Sequence, residues 1–259
     1  MGAGRSSQTV VLGGARPNAR VRAGRFRRAL RVLGTSLVVV GIALLAWALT
    51  VWFWQDPFTG LYTRYEQHKL SSALTREFAN PLNRPTATGT SIPAEEHAVA
   101  RAAARYRRTT HVGQAIGRIV VPRLGLNMVL VNGTDHDSLT KGPGRDLRTF
   151  MPGQGQLVYI AGHRTTYLAP FSHIENLRRG DRITLAMPYA TFVYRVTSHR
   201  VVPADDLAVL RSHGREEVEL QACHPRFFAT HRYIVFAQPS RITPRDGQAF
   251  TPRERQSHS

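Results

Sequence analysis

Cysteine is nearly missing from this chain: Cys223 is the single one in 259 residues. An intramolecular disulfide is therefore excluded, and the thiol is either buried or kept free for use. Acid is missing from residues 1–31, which hold eight arginines (Arg5, Arg16, Arg20, Arg22, Arg25, Arg27, Arg28 and Arg31) among many Gly, Ser and Ala. So little apolar surface does not offset chain entropy, and the segment reads as a disordered basic tail. Charge of either sign is missing from Val32 to Trp54, a run of 23 residues. No internal repeat is visible.

The uncharged run is what is most plainly present. About 20 apolar residues span a hydrocarbon core of about 30 Å as a helix, so residues 32–54 read as a transmembrane helix. Trp47, Trp52, Phe53 and Trp54 sit at one end, where amphipathic rings favour the headgroup interface, and the arginine cluster abuts the other. Positive-inside asymmetry puts residues 1–31 in the cytoplasm and the remainder outside the cell. The rival is a cleaved signal peptide, since Ala46-Trp47-Ala48 has the small-x-small form of a cleavage site. The apolar run continues for six residues beyond it, which favours an uncleaved anchor.

The formal net charge of +18 makes nucleic acid a first guess for a partner. Eight of those charges lie in the basic tail, and the +10 left over residues 55–259 is scattered rather than clustered. It reads as a solvated surface facing an anionic envelope, and no nucleic-acid partner is expected.

Residues 55–113 read as an extracellular connector, with Asp56-Pro57 ending the membrane segment and a loop-like stretch from Asn80 to Pro93. One helix is expected within it: Ser91 supplies a cap, Pro93 an early proline, Glu95 and Glu96 early acids, and Ala98 to Arg108 a helical run. From Gly117 the pattern becomes short β-type runs: Arg118–Val121, Met128–Val131, Leu157–Ala161, Arg182–Leu185, Thr191–Val201, Glu217–Cys223 and Arg232–Ala237. Several strands so closely spaced, with only short helical pieces between, predict a mainly β fold built as a closed or nearly closed barrel.

A lone cysteine is more often an inert core residue than a nucleophile. Strand alternation argues otherwise here. It sets Val218, Leu220 and Ala222 on one face of the run and Glu217, Glu219, Gln221 and Cys223 on the other, so the thiol falls on a polar face at a strand end. The segment from His224 to His231 leads into the next strand, and an antiparallel pair would bring Arg232 back beside Cys223. A guanidinium there can lower the thiol pKa and donate to an oxyanion, although a surface strand arginine is the plainer reading. An apolar strand running into Gly162-His163 places His163 at another strand end, with glycine permitting close backbone approach. Histidine is the usual partner of a cysteine nucleophile, as acid for a leaving amine and base for an incoming one. Metal ligation competes, but neither His224 nor His231 makes a recognised zinc spacing with Cys223, so no metal site is expected.

These residues resemble the sortases: His163 after an apolar strand, Cys223 ending a later one and Arg232 opening the next. Gly162-His163-Arg164-Thr165-Thr166-Tyr167, followed by Ala169-Pro170-Phe171 and by Cys223-His224-Pro225, is most similar to the class E sortases of actinobacteria. The resemblance implies an eight-stranded sortase-type β-barrel over residues 114–240, with residues 241–259 as a C-terminal tail. It implies cleavage of an LPXTG- or LAXTG-like C-terminal sorting signal between Thr and Gly. In that scheme Cys223 forms the thioacyl enzyme, His163 handles the amine protons, Arg232 holds the oxyanion, and Ala222, Thr165 and Tyr167 lie along the substrate. The implied partners are surface proteins bearing the signal and an acceptor amine on a peptidoglycan precursor or a pilin, with no cofactor required. The family's Thr-Leu-x-Thr-Cys signature stands here as Glu219-Leu220-Gln221-Ala222-Cys223, a departure that bears on rate and signal preference rather than on the nucleophile.

Two other readings remain at this level. An L,D-transpeptidase also uses cysteine with histidine and arginine, but its Ser-His-Gly-Cys signature is missing: Ser212-His213-Gly214 is followed by Arg215. A catalytically weak, sortase-like envelope-binding protein would be consistent with Glu219 and Ala222.

Overall fold

In the computed structural model, residues 19–53, 57–86 and 91–252 are described. Of the sequence expectations, residues 1–18, Trp54, residues 253–259 and the side chains of Trp52 and Phe53 lie outside them. The chain forms two compact units, divided after Trp52.

The first unit contains all but the last residue of helix α1 (Ala19–Phe53). Its stretch Phe26–Thr50 is long and apolar enough to cross a membrane. The helix begins earlier than expected. Residues 19–31, read as disordered tail, are helical, in keeping with the good helix propensity of Arg, Ala and Leu.

The second unit opens with two helices where one was expected: α2 (Pro57–Ala79) and α3 (Ile92–Thr109). The start of α3 is as the cap predicts, with Ser91 accepting from the Ala94 amide at 3.4 Å. Both helices pack against the strands that follow. Val99, Ala102, Ala103 and Tyr106 of α3 are buried in the main core, and Leu70 and Leu74 of α2 pack with Ala115, Val129 and Val131.

Eight strands follow: β1 (Ala115–Val121), β2 (Leu126–Asn132), β3 (Gly144–Arg145), β4 (Leu157–Ala161), β5 (Arg182–Ala186), β6 (Ala190–Pro203), β7 (Glu217–His224) and β8 (His231–Pro244). They close in the order β1-β2-β3-β4-β7-β8-β6-β5, with β5 pairing back onto β1. The pairs β2/β3 and β4/β7 are parallel and the others antiparallel. Alternation sorts the strands into two layers of side chains. Val158, Ile160, Val218, Leu220, Ala222, Tyr233 and Val235 face the main core, while Tyr159, Ala161 and Ile234 face outward into a second cluster with Val202 and Val209. The domain also runs past the expected boundary at 240: β8 continues to Pro244, and Phe250 bridges Ile242 and is buried in the main core.

Candidate active site

Strands β4, β7 and β8 lie side by side, and their ends gather the candidate residues. Cys223 pairs directly with Arg232 across the antiparallel β7/β8 ladder. In the parallel β4/β7 ladder Ala161 pairs with Gln221, so His163 and Cys223 each lie two residues beyond the last matched pair. All three share the parity of the outward residues Tyr159, Ala161 and Ile234. The expected antiparallel return of Arg232 to Cys223 is what the register shows.

The face itself differs from the sequence picture. Glu217, Glu219 and Gln221 do not line an open cleft; they are buried, at 5%, 1% and 8% exposure. Val209, with Leu210 beside it, packs over this side of the sheet in one cluster with Tyr159, Ala161, Val202 and Ile234. Only at Cys223 does the face become half-exposed.

His163 begins a loop closed by two features. Its carbonyl accepts from the Phe171 amide at 3.1 Å, and Phe171 is fully buried in the main core. Gly162 is required at the loop's root, because a Cβ there would lie 2.6 Å from the Phe171 ring. Within the loop Tyr167, Leu168 and Ala169 all have positive φ (53°, 61° and 39°), a run that non-glycine residues adopt at a cost. The Tyr167 amide donates to Thr59 Oγ1 of α2 at 2.9 Å, and the Ala169 amide to the Thr166 carbonyl at 2.8 Å. The Tyr167 ring packs against His163 with centroids 5.0 Å apart and meets His136 edge-on at 6.3 Å on another side.

His163 is half-buried, and its Nε2 has no hydrogen-bond partner. Burial first, and the nearby His136 second, hold its imidazole below the usual histidine value. It is therefore neutral at neutral pH, the form that can accept a proton. Arg232 turns Nη1 back onto its own loop, donating to the carbonyls of Ala229 (2.8 Å) and His231 (3.0 Å), which fixes the plane of the guanidinium.

Of the other expected site residues, Tyr167 lies against His163, and Thr165 is half-buried in the same loop. Ala222 is placed elsewhere. Its side chain is fully buried in the main core, so only its backbone borders the site. Sequence reasoning missed Arg164 as a site residue although it quoted the motif containing it. Arg164 is 6% exposed and donates from Nη1 to the Cys223 carbonyl (2.9 Å) and to His224 Nδ1 (3.0 Å), and from Nη2 to Glu175 Oε2 (2.9 Å). His136 and Thr59 had no local signal, since only the fold brings them to the loop. Among the described residues, no group of three or more His, Cys, Asp or Glu is placed to hold a metal ion.

The arrangement sets a neutral imidazole and a guanidinium at strand ends on either side of Cys223. Comparison with known proteins agrees with the sequence resemblance. Residues 119–240 match the sortase domain family. Sortase D of Bacillus subtilis is 31% identical over 130 residues, covering 49% of this chain and 64% of that protein. Sortase SrtE1 of Streptomyces coelicolor is 24% identical over 234 residues, covering 84% of this chain and 59% of that one. The chain thus spans about three fifths of the length of these curated relatives. Among solved structures, a Clostridium perfringens Sortase D5 transpeptidase shares the fold, with a TM-score of 0.53 at 22% identity over 68% of this chain and 98% of that one. Residues 119–240 of this chain thus form a sortase domain.

Proposed function

We propose that the chain is a membrane-anchored cysteine transpeptidase. It cleaves an LPXTG- or LAXTG-like C-terminal sorting signal and transfers the acyl group to an amine of a cell-wall precursor or a pilin. The observation that carries this reading is the placement of His163, Cys223 and Arg232 at the ends of adjacent strands, on one face, within a sortase domain.

The neutral His163 takes the Cys223 proton, and the thiolate attacks the threonine carbonyl of the signal. Negative charge builds on that oxygen, and Arg232, its plane fixed by the loop carbonyls, donates to it. The carbon–nitrogen bond then breaks, the imidazolium gives its proton to the departing glycine amine, and a thioester to Cys223 remains. An incoming amine loses a proton to the same imidazole as it displaces the thiol, which regains its own. Tyr167 covers one side of His163 and Thr165 lies in the same loop, so this loop is the wall against which the signal is read. Ala222 contributes through its backbone alone.

Helix α1 anchors the enzyme as a single pass. The arginine-rich end faces the cytoplasm and the domain faces outward, where sorting-signal proteins and wall precursors are found.

The test uses the full-length chain in detergent micelles with an LPXTG or LAXTG peptide and an amine acceptor. The expected result is a thioester at Cys223 by mass spectrometry, cleavage between Thr and Gly, and loss of both in Cys223→Ala with the fold retained. Cleavage that persists in Cys223→Ala would end the proposal. Crosslinking of muropeptides without sorting-peptide cleavage would move the activity to L,D-transpeptidation.

A further inference from the structure

Strand β4 stops at Ala161, whereas β7 continues through Cys223 to His224. The last backbone rung between them runs from the Gly162 amide to the Gln221 carbonyl at 3.0 Å. Rungs of a parallel ladder recur every second residue, so the next would carry the Arg164 amide to the Cys223 carbonyl. The chain has left the sheet by then, and β4 offers no amide there. The Cys223 carbonyl instead accepts from the Arg164 side chain, through Nη1 at 2.9 Å.

We infer that Arg164, braced by Glu175, is a positioning residue whose guanidinium replaces the missing β4/β7 rung, keeping Cys223 in register with His163 while the chain at His163 turns out of the sheet. A backbone rung at this point would hold residues 163 and 164 extended and deny the histidine its loop. With no rung at all, the Cys223 carbonyl would lose its partner and the end of β7 would fray from the histidine loop.

A planar fork is needed because one side chain meets three acceptors: the Cys223 carbonyl, His224 Nδ1 and Glu175 Oε2. Arginine only donates, so Nδ1 of His224 accepts, and the neutral ring carries its proton on Nε2. The inference rests on the sortase reading for the roles of Cys223 and His163, but its structural half is measurable without any turnover.

The full-length chain in micelles is compared with Arg164→Met, Arg164→Lys and Glu175→Gln. Four quantities are read: kcat and KM for the sorting peptide, iodoacetamide alkylation of Cys223, the His224 tautomer from ring ¹⁵N shifts, and the melting temperature. A small displacement of reacting groups costs about 10²-fold in rate. Arg164→Met is accordingly expected to lower kcat by about that factor with KM nearly unchanged, to alter the alkylation rate and to release the His224 tautomer. Arg164→Lys should recover part of kcat, and Glu175→Gln should lose less than Arg164→Met. The proposal is overturned if Arg164→Met leaves kcat and the His224 tautomer as they are, or if Lys and Met lose kcat equally and only in step with melting temperature. If the wild-type chain cleaves no sorting peptide, the sortase reading fails separately, and the tautomer and alkylation readouts still decide the positioning role. If Arg164→Met does not fold, unchanged kcat, tautomer and alkylation in both Arg164→Lys and Glu175→Gln overturn it.

Discussion

Along the outer face of β7, Glu219 and Cys223 are separated by a single side chain of the same parity, Gln221, yet Glu219 is sealed at 1% exposure and Cys223 is half-exposed. Glu219 sits in register between Tyr159 of β4 and Phe236 of β8, and its Oε2 has no hydrogen-bond partner. Cys223 sits between the end of β4 and Arg232 of β8. The difference follows the cover: Val209 of the Leu207–Leu210 turn packs with Tyr159, Ala161, Val202 and Ile234 in one buried cluster, whereas Cys223 lies beyond the end of β4. One strand therefore carries a sealed end at Glu219 and a half-exposed end at Cys223, and strand parity does not distinguish them.

The largest effects belong to the open end. General acid–base and oxyanion contributions are each worth about 10²–10⁴-fold, so His163→Ala and Arg232→Ala should each cost at least about 10²-fold in turnover of the sorting peptide. Glu219→Gln, at the closed end, should leave turnover within about threefold, because surface or remote changes away from the reacting groups rarely reach the transition state. Steady-state kinetics on the three variants decides the point. Equal losses at both ends would erase the distinction. A thiol reagent at neutral pH should label Cys223 in the folded chain, whereas labelling only after denaturation would make the open end closed as well.

Stability should reverse that order. Burial is the dominant cause, and the like charge of Glu217 the next, that pushes the Glu219 carboxyl from 4.5 to about 8 against the pull of Arg200. Between those values the folded chain holds a proton that the unfolded chain has lost. The resulting stability is fully present below about pH 4.5 and is lost as pH rises through about 8. Glu219→Gln cannot ionise, so it should flatten this slope and raise stability at pH 9 by about 1–3 kcal/mol, the scale of a buried unsatisfied polar group. At pH 5 it should be nearly neutral. Denaturant unfolding at the two pH values measures both, and an unchanged slope would place the pH sensitivity elsewhere.

Periodicity and turn residues made the barrel legible, since seven of its strands are runs of β-type residues bounded by breakers. The eighth, Gly144–Arg145, is two residues long and contains an arginine, and no alternation exists to read. Arg145 is nonetheless 1% exposed, held by Asn132 Oδ1 and the carbonyls of Asp146 and Thr149. Helix α2 was hidden for a related reason. Its packed stripe mixes Leu70 and Leu74 with Thr63, which donates to the Thr140 carbonyl at 2.8 Å, and Gln67, which donates to that of Lys141 at 2.8 Å. Polar residues satisfied by backbone on the far side of the contact look like a solvated face in sequence. At the site, Cys223, His163 and Arg232 were readable because strand ends and antiparallel return are local. The cover over Glu219, the fork of Arg164 and the approach of His136 and Thr59 depend on segments distant in sequence, and no local pattern encodes them.

The smallest effect tests whether burial governs the open end as it governs the closed one. At Glu219 burial keeps a proton on; at His163 it keeps one off, with the charge of His136 only the second cause. His163 therefore contributes stability that is present above about pH 6.5 and is lost as pH falls through its lower folded value. Replacing His136 by Gln removes the minor cause and leaves the burial, so the His163 titration should move up only slightly, with the acid limb of turnover moving slightly towards neutral pH. Imidazole NMR resolves such a shift. A larger upward move would mean that charge, rather than burial, sets the proton at this end. Its ionisation would then depend on a neighbour across the Tyr167 ring instead of on the loop that buries it.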